Sequence, residues 1–151
     1  MALAAPPALA AMRDFTCSGD QLGRRVITDP TTFQRAAAGP MSRTFTARPQ
    51  VRRYGAGAPV AVVTECTASY DYAHFVGGSG RIGPIDGAYR LRVECVAKPE
   101  GGSGGRGLDQ QFSVPAPASG EPFDSPEMKA GLEQAACRSA RSAIFAAMRN
   151  R

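Results

Sequence analysis

The sequence predicts an α+β fold, a four-stranded antiparallel sheet with a short N-terminal helix and a long C-terminal helix packed on one face. Three observations carry that expectation. Residues 60–75 and 87–98 alternate apolar and polar side chains as half-buried strands do, and a glycine-rich loop joins them. Residues 125–149 instead repeat apolar side chains at helical spacing. The remaining links are short or rich in glycine and proline, which favours consecutive strands pairing antiparallel.

Taken in order, residues 1–13 read as a signal-peptide remnant or disordered arm, and residues 14–151 as a single disulfide-stabilised α+β domain. A chain of this length buries roughly 70% of its unfolded surface, enough for a real core. Residues 14–27 are expected to be irregular and hold Cys17. A short helix is expected at 30–38: Asp29 can cap it, Pro30 suits the first helical position and Gly39-Pro40 ends it, with Phe33, Ala36 and Ala37 facing inward. A strand comes next, from about 43 to 54, with Phe45, Ala47 and Val51 pointing one way. Pro49 lacks an N–H, which demotes this strand to an edge or a bulged one.

On the first central strand Val60, Val62, Thr64, Cys66, Ala68 and Tyr70 share a face, opposite Glu65, Thr67, Ser69 and Asp71. On the second, Tyr89, Leu91, Val93, Cys95 and Ala97 lie opposite Arg90, Arg92 and Glu94. The run Gly101-Gly102-Ser103-Gly104-Gly105 reads as a flexible loop. A fourth strand then sets Leu108, Phe112 and Val114 on one parity. The long helix starts at Asp124-Ser125-Pro126-Glu127, which offers a cap, a proline and a first-turn acid. Its apolar arc is Met128, Leu132, Ala136, Ala140, Ile144 and Met148, with Cys137 at the edge; its polar stripe is Glu127, Gln134, Arg138, Arg141 and Arg149.

The formal charge is +5, and sixteen of the 18 basic residues are arginine. Such an excess bears on solubility and association rather than on any one site. Alanine, glycine, proline and arginine are abundant together, as GC-rich codons would make them. No stretch approaches the roughly 20 apolar residues of a membrane-spanning helix.

Cys17, Cys66, Cys95 and Cys137 are widely spaced, and His74 is the one histidine, so neither a zinc set nor any other metal or cofactor is expected. An even set of this kind suggests two disulfides and an oxidising compartment; four buried thiols would also pack. Three connectivities are open. A Cys95–Cys137 bond would pin helix to sheet and Cys17–Cys66 would tie down the N-terminal arm. This pair ranks ahead of a direct Cys66–Cys95 bridge, whose cross-strand geometry is demanding. Ala8-Leu9-Ala10 has the small-x-small form of a signal-peptidase site and points to a periplasmic or secreted protein, although Pro6 and Pro7 interrupt the apolar run and no basic residue precedes it.

Gly78-Ser79-Gly80-Arg81-Ile82-Gly83 matches a dinucleotide-binding pattern, but a strand rather than a helix is expected after it, so no helix N-terminus would meet a phosphate. Tyr70, Tyr72 and His74 gather at a strand end, which reads first as an ordinary polar strand end and, if the chain has a small-molecule or peptide site, as the place to look for it. Glu65 and Glu94 read as parts of a salt-bridged outer face rather than as a catalytic pair. Arg43, Arg48, Arg52, Arg53, Arg90 and Arg92 could share that face; Arg90 and Arg92 are possible binding residues.

The first reading is therefore a small exported binding or inhibitor-like module of unknown ligand, without a catalytic constellation and without a membrane span. Two alternatives stand beside it. One is a nucleic-acid-binding protein using the arginine-rich sheet face. The other is a hydrolase centred on His74, which would need a nucleophile such as Ser69 or Ser79 within reach.

Overall fold

Two long strands form the spine of the molecule, and the rest packs around them. The computed structural model describes residues 14–53, 57–76, 82–117 and 120–149, and the backbone alone for 72–76 and 82–87. In chain order the elements are β1 (Phe15–Cys17), α1 (Gly19–Leu22), β2 (Thr31–Gly39), β3 (Ser42–Ala47), β4 (Gln50–Val51), β5 (Val60–Val76), β6 (Ile82–Pro99), β7 (Gly105–Arg106), β8 (Gln110–Pro115), a 3-10 turn at Pro122–Asp124, and α2 (Pro126–Arg149). The eight strands make one curled antiparallel sheet in the order β1-β2-β3-β5-β6-β7, with β4 also paired to β5 and β8 to β6.

The four-stranded sheet with an N-terminal helix is thus overturned. Residues 30–38 do not form a helix: Thr31–Gly39 is strand β2, paired with β1 through Phe15↔Phe33 and with β3 through Arg35↔Phe45. Thr31 and Phe33 are buried, whereas Ala36 and Ala37, expected inward, are exposed. Three alanines permit a helix, but propensity is a weak prior. Here Phe33 stacks on Phe15 at 4.8 Å between ring centres, and Phe15 meets Phe45 edge-on at 5.1 Å. That apolar cluster is assembled by strand pairing and would be lost on a helix. Asp29 instead braces the start of α1, its Oδ1 accepting from the Gly19 N–H at 2.8 Å.

The predicted 43–54 strand is two pieces, β3 and β4, separated at Arg48-Pro49. β3 is internal, flanked by β2 and β5, rather than an edge. Pro49 sits in the break, where no ladder N–H is required of it. Its carbonyl still accepts from Val62 N–H at 3.0 Å. The glycine run is also less loose than its composition suggests, because Gly105 and Arg106 form β7.

The faces of β5 and β6 obey the alternation. Val62, Thr64, Cys66, Ala68, Leu91, Val93, Cys95 and Ala97 are buried, while Glu65, Thr67, Arg90 and Arg92 are exposed. Helix α2 covers the buried face. Its arc of Met128, Leu132, Ala136, Ala140, Ile144 and Met148 is buried throughout, and the small alanines allow close approach. Ser125 Oγ caps the start, accepting from Met128 N–H at 3.2 Å.

The structure forms two disulfides, and the pairing ranked first is not the one made. Cys66 and Cys95 stand directly opposite each other in the β5–β6 register, with Cα atoms 4.0 Å apart, and are bonded. Cys137, at the edge of the helical arc, reaches β1 instead and bonds Cys17 with Cα atoms 5.7 Å apart. The Ala136 carbonyl lies over the cross-strand bridge, 3.3 Å from Cys95 Sγ.

Candidate arginine-rimmed hollow

The sequence-predicted residues are dispersed. Tyr70 is half-buried and packs between Tyr89 and Phe123, with ring centres at 5.0 and 5.1 Å. It belongs to the core margin. The backbones of Tyr72 and His74 continue β5 opposite Tyr89 and Pro84, with a register irregularity between them. Their side chains lie outside the described residues, as do Tyr54 and Gly78–Arg81 of the glycine pattern. The chain leaves that pattern as strand β6, from Ile82, and not as a helix.

The outer sheet face carries charges of both signs. Arg43 does not lie on it: its side chain is buried on the helix side, donates to the Gly39 and Ser42 carbonyls at 2.8 Å, and stacks on Phe123 at 4.6 Å. Its charge faces Glu121 Oε1 at 3.4 Å. Arg48 pairs with Glu100. Arg106 pairs with Glu94 at 3.1 Å. Arg92 pairs with Asp109 at 2.8 Å and reaches Glu94 at 3.9 Å. The hydrogen bond from Arg92 holds the Asp109 carboxyl below the usual aspartate range. Arg90 is exposed and stands opposite Asp71 in the register. A depression of about 310 Å³ lined by Glu65, Thr67, Ser69, Arg92, Glu94 and Val96 therefore mixes both signs of charge. Glu65 pairs in register with Val96 and Glu94 with Thr67, so the two acids are staggered rather than opposed.

A hollow of about 730 Å³ lies elsewhere, beside α2 and lined by residues of α1, the segment after it, Leu108 and α2. Its floor and walls include Leu22, Leu108, Ile144 and Phe145, and its rim carries Arg24, Arg25, Arg138 and Arg141 against the single carboxylate of Asp20. Leu108 is 61% exposed and Phe145 49%, and both line this hollow.

Each wall has its own support. Ser18 caps α1, accepting from Gln21 N–H at 3.1 Å while Gln21 Oε1 accepts from Ser18 N–H at 2.8 Å. This reciprocal box fixes a four-residue helix otherwise too short to persist. Leu22 is buried by it, and Gly23, at φ 96°, turns the chain so that Arg24 and Arg25 come next at the rim. Leu108 is held from both ends of its backbone: its carbonyl accepts from Ser139 Oγ at 2.6 Å and its N–H donates to Ser142 Oγ at 2.8 Å. The expectation that Leu108 shares a strand parity with Phe112 and Val114 is corrected: Leu108 precedes β8 and is exposed. Arg25 lies over the Phe145 ring at 4.8 Å.

Sequence reasoning missed this hollow, although two signals were present. Ser18-x-x-Gln21 is a capping box. Phe145 falls four residues after Arg141 and four before Arg149, an aromatic ring inside the arginine stripe. Among the described residues no group of three His, Cys, Asp or Glu side chains could hold a metal ion, and no helix is long and apolar enough to cross a membrane. In comparisons with known proteins, no family model matches the chain and no curated protein or solved structure is significantly similar to it.

Proposed function

We propose that this chain is a binding module exported to the periplasm or beyond, with its ligand seated in the hollow beside α2. The observation that carries this reading is the pair of disulfides, one locking helix to β1 and one locking the central hairpin, with all four sulfurs in the core. Such bonds form and persist chiefly in oxidising compartments. The small-x-small pattern Ala8-Leu9-Ala10 agrees with export. A volume of about 730 Å³ is the size of hollow that takes a small molecule.

The test is intact mass and thiol alkylation of the protein produced with its natural leader and recovered from the cell envelope or medium. The expected product lacks four hydrogens relative to the reduced chain and takes up no alkylating agent until denatured and reduced. Folded protein confined to the cytosol with four alkylatable thiols would overturn the proposal.

A further inference from the structure

Resting on the reading of the hollow as a ligand seat, we propose that its ligand is an anionic amphiphile: an aliphatic chain ending in a carboxylate or phosphate group. The apolar part is demanded by the floor. Leu22, Leu108, Ile144 and Phe145 offer no hydrogen bonds, and the hydroxyl nearest them, Ser142 Oγ, is already engaged. It accepts from Leu108 N–H at 2.8 Å and donates to the Ser139 carbonyl at 3.0 Å. A sugar or a nucleobase would leave its own polar groups unpaired against such a floor, which is costly.

The anionic end is demanded by the rim. Arg24, Arg138 and Arg141 are exposed there, and among the described residues none of them forms an ion pair. The sheet arginines Arg43, Arg48, Arg92 and Arg106 all face carboxylates instead. Arg138 and Arg141 sit one helical turn apart on α2, so their guanidinium forks face the same mouth. A guanidinium fork matches a carboxylate or phosphate in two parallel hydrogen bonds. The concavity favours a small molecule that enters it over a flat acidic protein surface, which would touch only the rim.

Calorimetric titration of the oxidised full chain tests this with three probes sharing one tail, each below its micelle concentration: dodecanoate, dodecyl phosphate and dodecyltrimethylammonium. Both anions are expected to bind once per chain, and the cation at least about tenfold more weakly. The stronger of the two anions identifies the headgroup. Arg138→Gln with Arg141→Gln is expected to weaken the anions about tenfold without shifting the melting temperature, since both side chains are exposed. Phe145→Ser should weaken all three probes, and raising salt above about 0.15 M should weaken only the anions. No binding by any probe, equal binding of cation and anion, or indifference to the arginine pair would overturn the inference. The thiol state decides the export reading separately, so the two can fail independently.

Discussion

Ser139 is a fully buried hydroxyl with two backbone partners. It accepts from Cys95 N–H at 2.8 Å and donates to the Leu108 carbonyl at 2.6 Å, so it ties β6 and the lip of the hollow to α2. Ser139→Ala removes the partner of the buried Cys95 N–H and of the part-buried Leu108 carbonyl and is expected to cost about 1–3 kcal/mol, read as a lower urea midpoint at unchanged slope. Gly107 completes that contact. A Cβ there would run into the Ser139 backbone, which is why the backbone can lie so close to the helix only as glycine. None of this was legible from composition, which made the glycine-rich segment look like a flexible loop. The parity of Cys66 and Cys95 was legible, because strand alternation depends on nearest neighbours alone. Leu108 misled by the same logic: its parity matches Val114, but it lies outside the ladder, which begins only at Gln110. On the outer face, Asp109 carries a pH prediction. Its folded value is depressed by the Arg92 hydrogen bond, so the pair contributes stability above the ordinary aspartate range and loses it as pH falls through the folded value. Asp109→Asn should therefore melt slightly below the parent at neutral pH and coincide with it in strong acid. The gap is small because both groups are solvated. A gap that widened on acidification would contradict the assignment.

Among elements, α1 and β2 show where local signals compete. Each has a start signal in the sequence, Ser18-x-x-Gln21 for one and Asp29-Pro30 for the other, and only the first begins a helix. The difference lies in the residues just downstream of each signal. Leu22 can be buried from a single turn, whereas Thr31 and Phe33 reach the Phe15 and Phe45 cluster only as alternate residues of a strand. Such pairings join residues distant in sequence, so single-chain periodicity underweights them. Helix α2 was readable in full because its apolar arc repeats along its whole length and its cap is local. The hollow's α1 wall rests on the Ser18 box. Ser18→Ala is expected to cost about 1 kcal/mol, and Ser18→Asp to retain most of it, because aspartate caps equally well. Thermal melts of the two variants distinguish capping from simple loss of a surface hydroxyl. Equal losses in both would remove the capping argument.

At the scale of the whole molecule the two disulfides act differently. The Cys66–Cys95 bond closes a 29-residue separation inside a hairpin whose ladder already runs from Val62↔Pro99 to Val76↔Ile82. The Cys17–Cys137 bond closes a separation of 120 residues and joins β1, and through it α1, to the helix that carries the rim arginines. Chain entropy assigns about 3–4 kcal/mol to the shorter loop and about 5 kcal/mol to the longer. Replacing Cys17 and Cys137 with serine should therefore lower stability more than replacing Cys66 and Cys95 with alanine. The structural argument adds a second, independent contrast. Without Cys17–Cys137, β1 and α1 lose their covalent tie to α2, so the hollow's α1 wall should loosen and its ligand be lost. Without Cys66–Cys95, β5 and β6 remain paired and the hollow, which neither strand lines, should keep its affinity. Denaturant titration of both double variants, together with dodecanoate titration of each, reads the two contrasts at once. Loss of binding on removal of the hairpin bridge alone would mean that the seat depends on the sheet's core rather than on the α1–α2 junction.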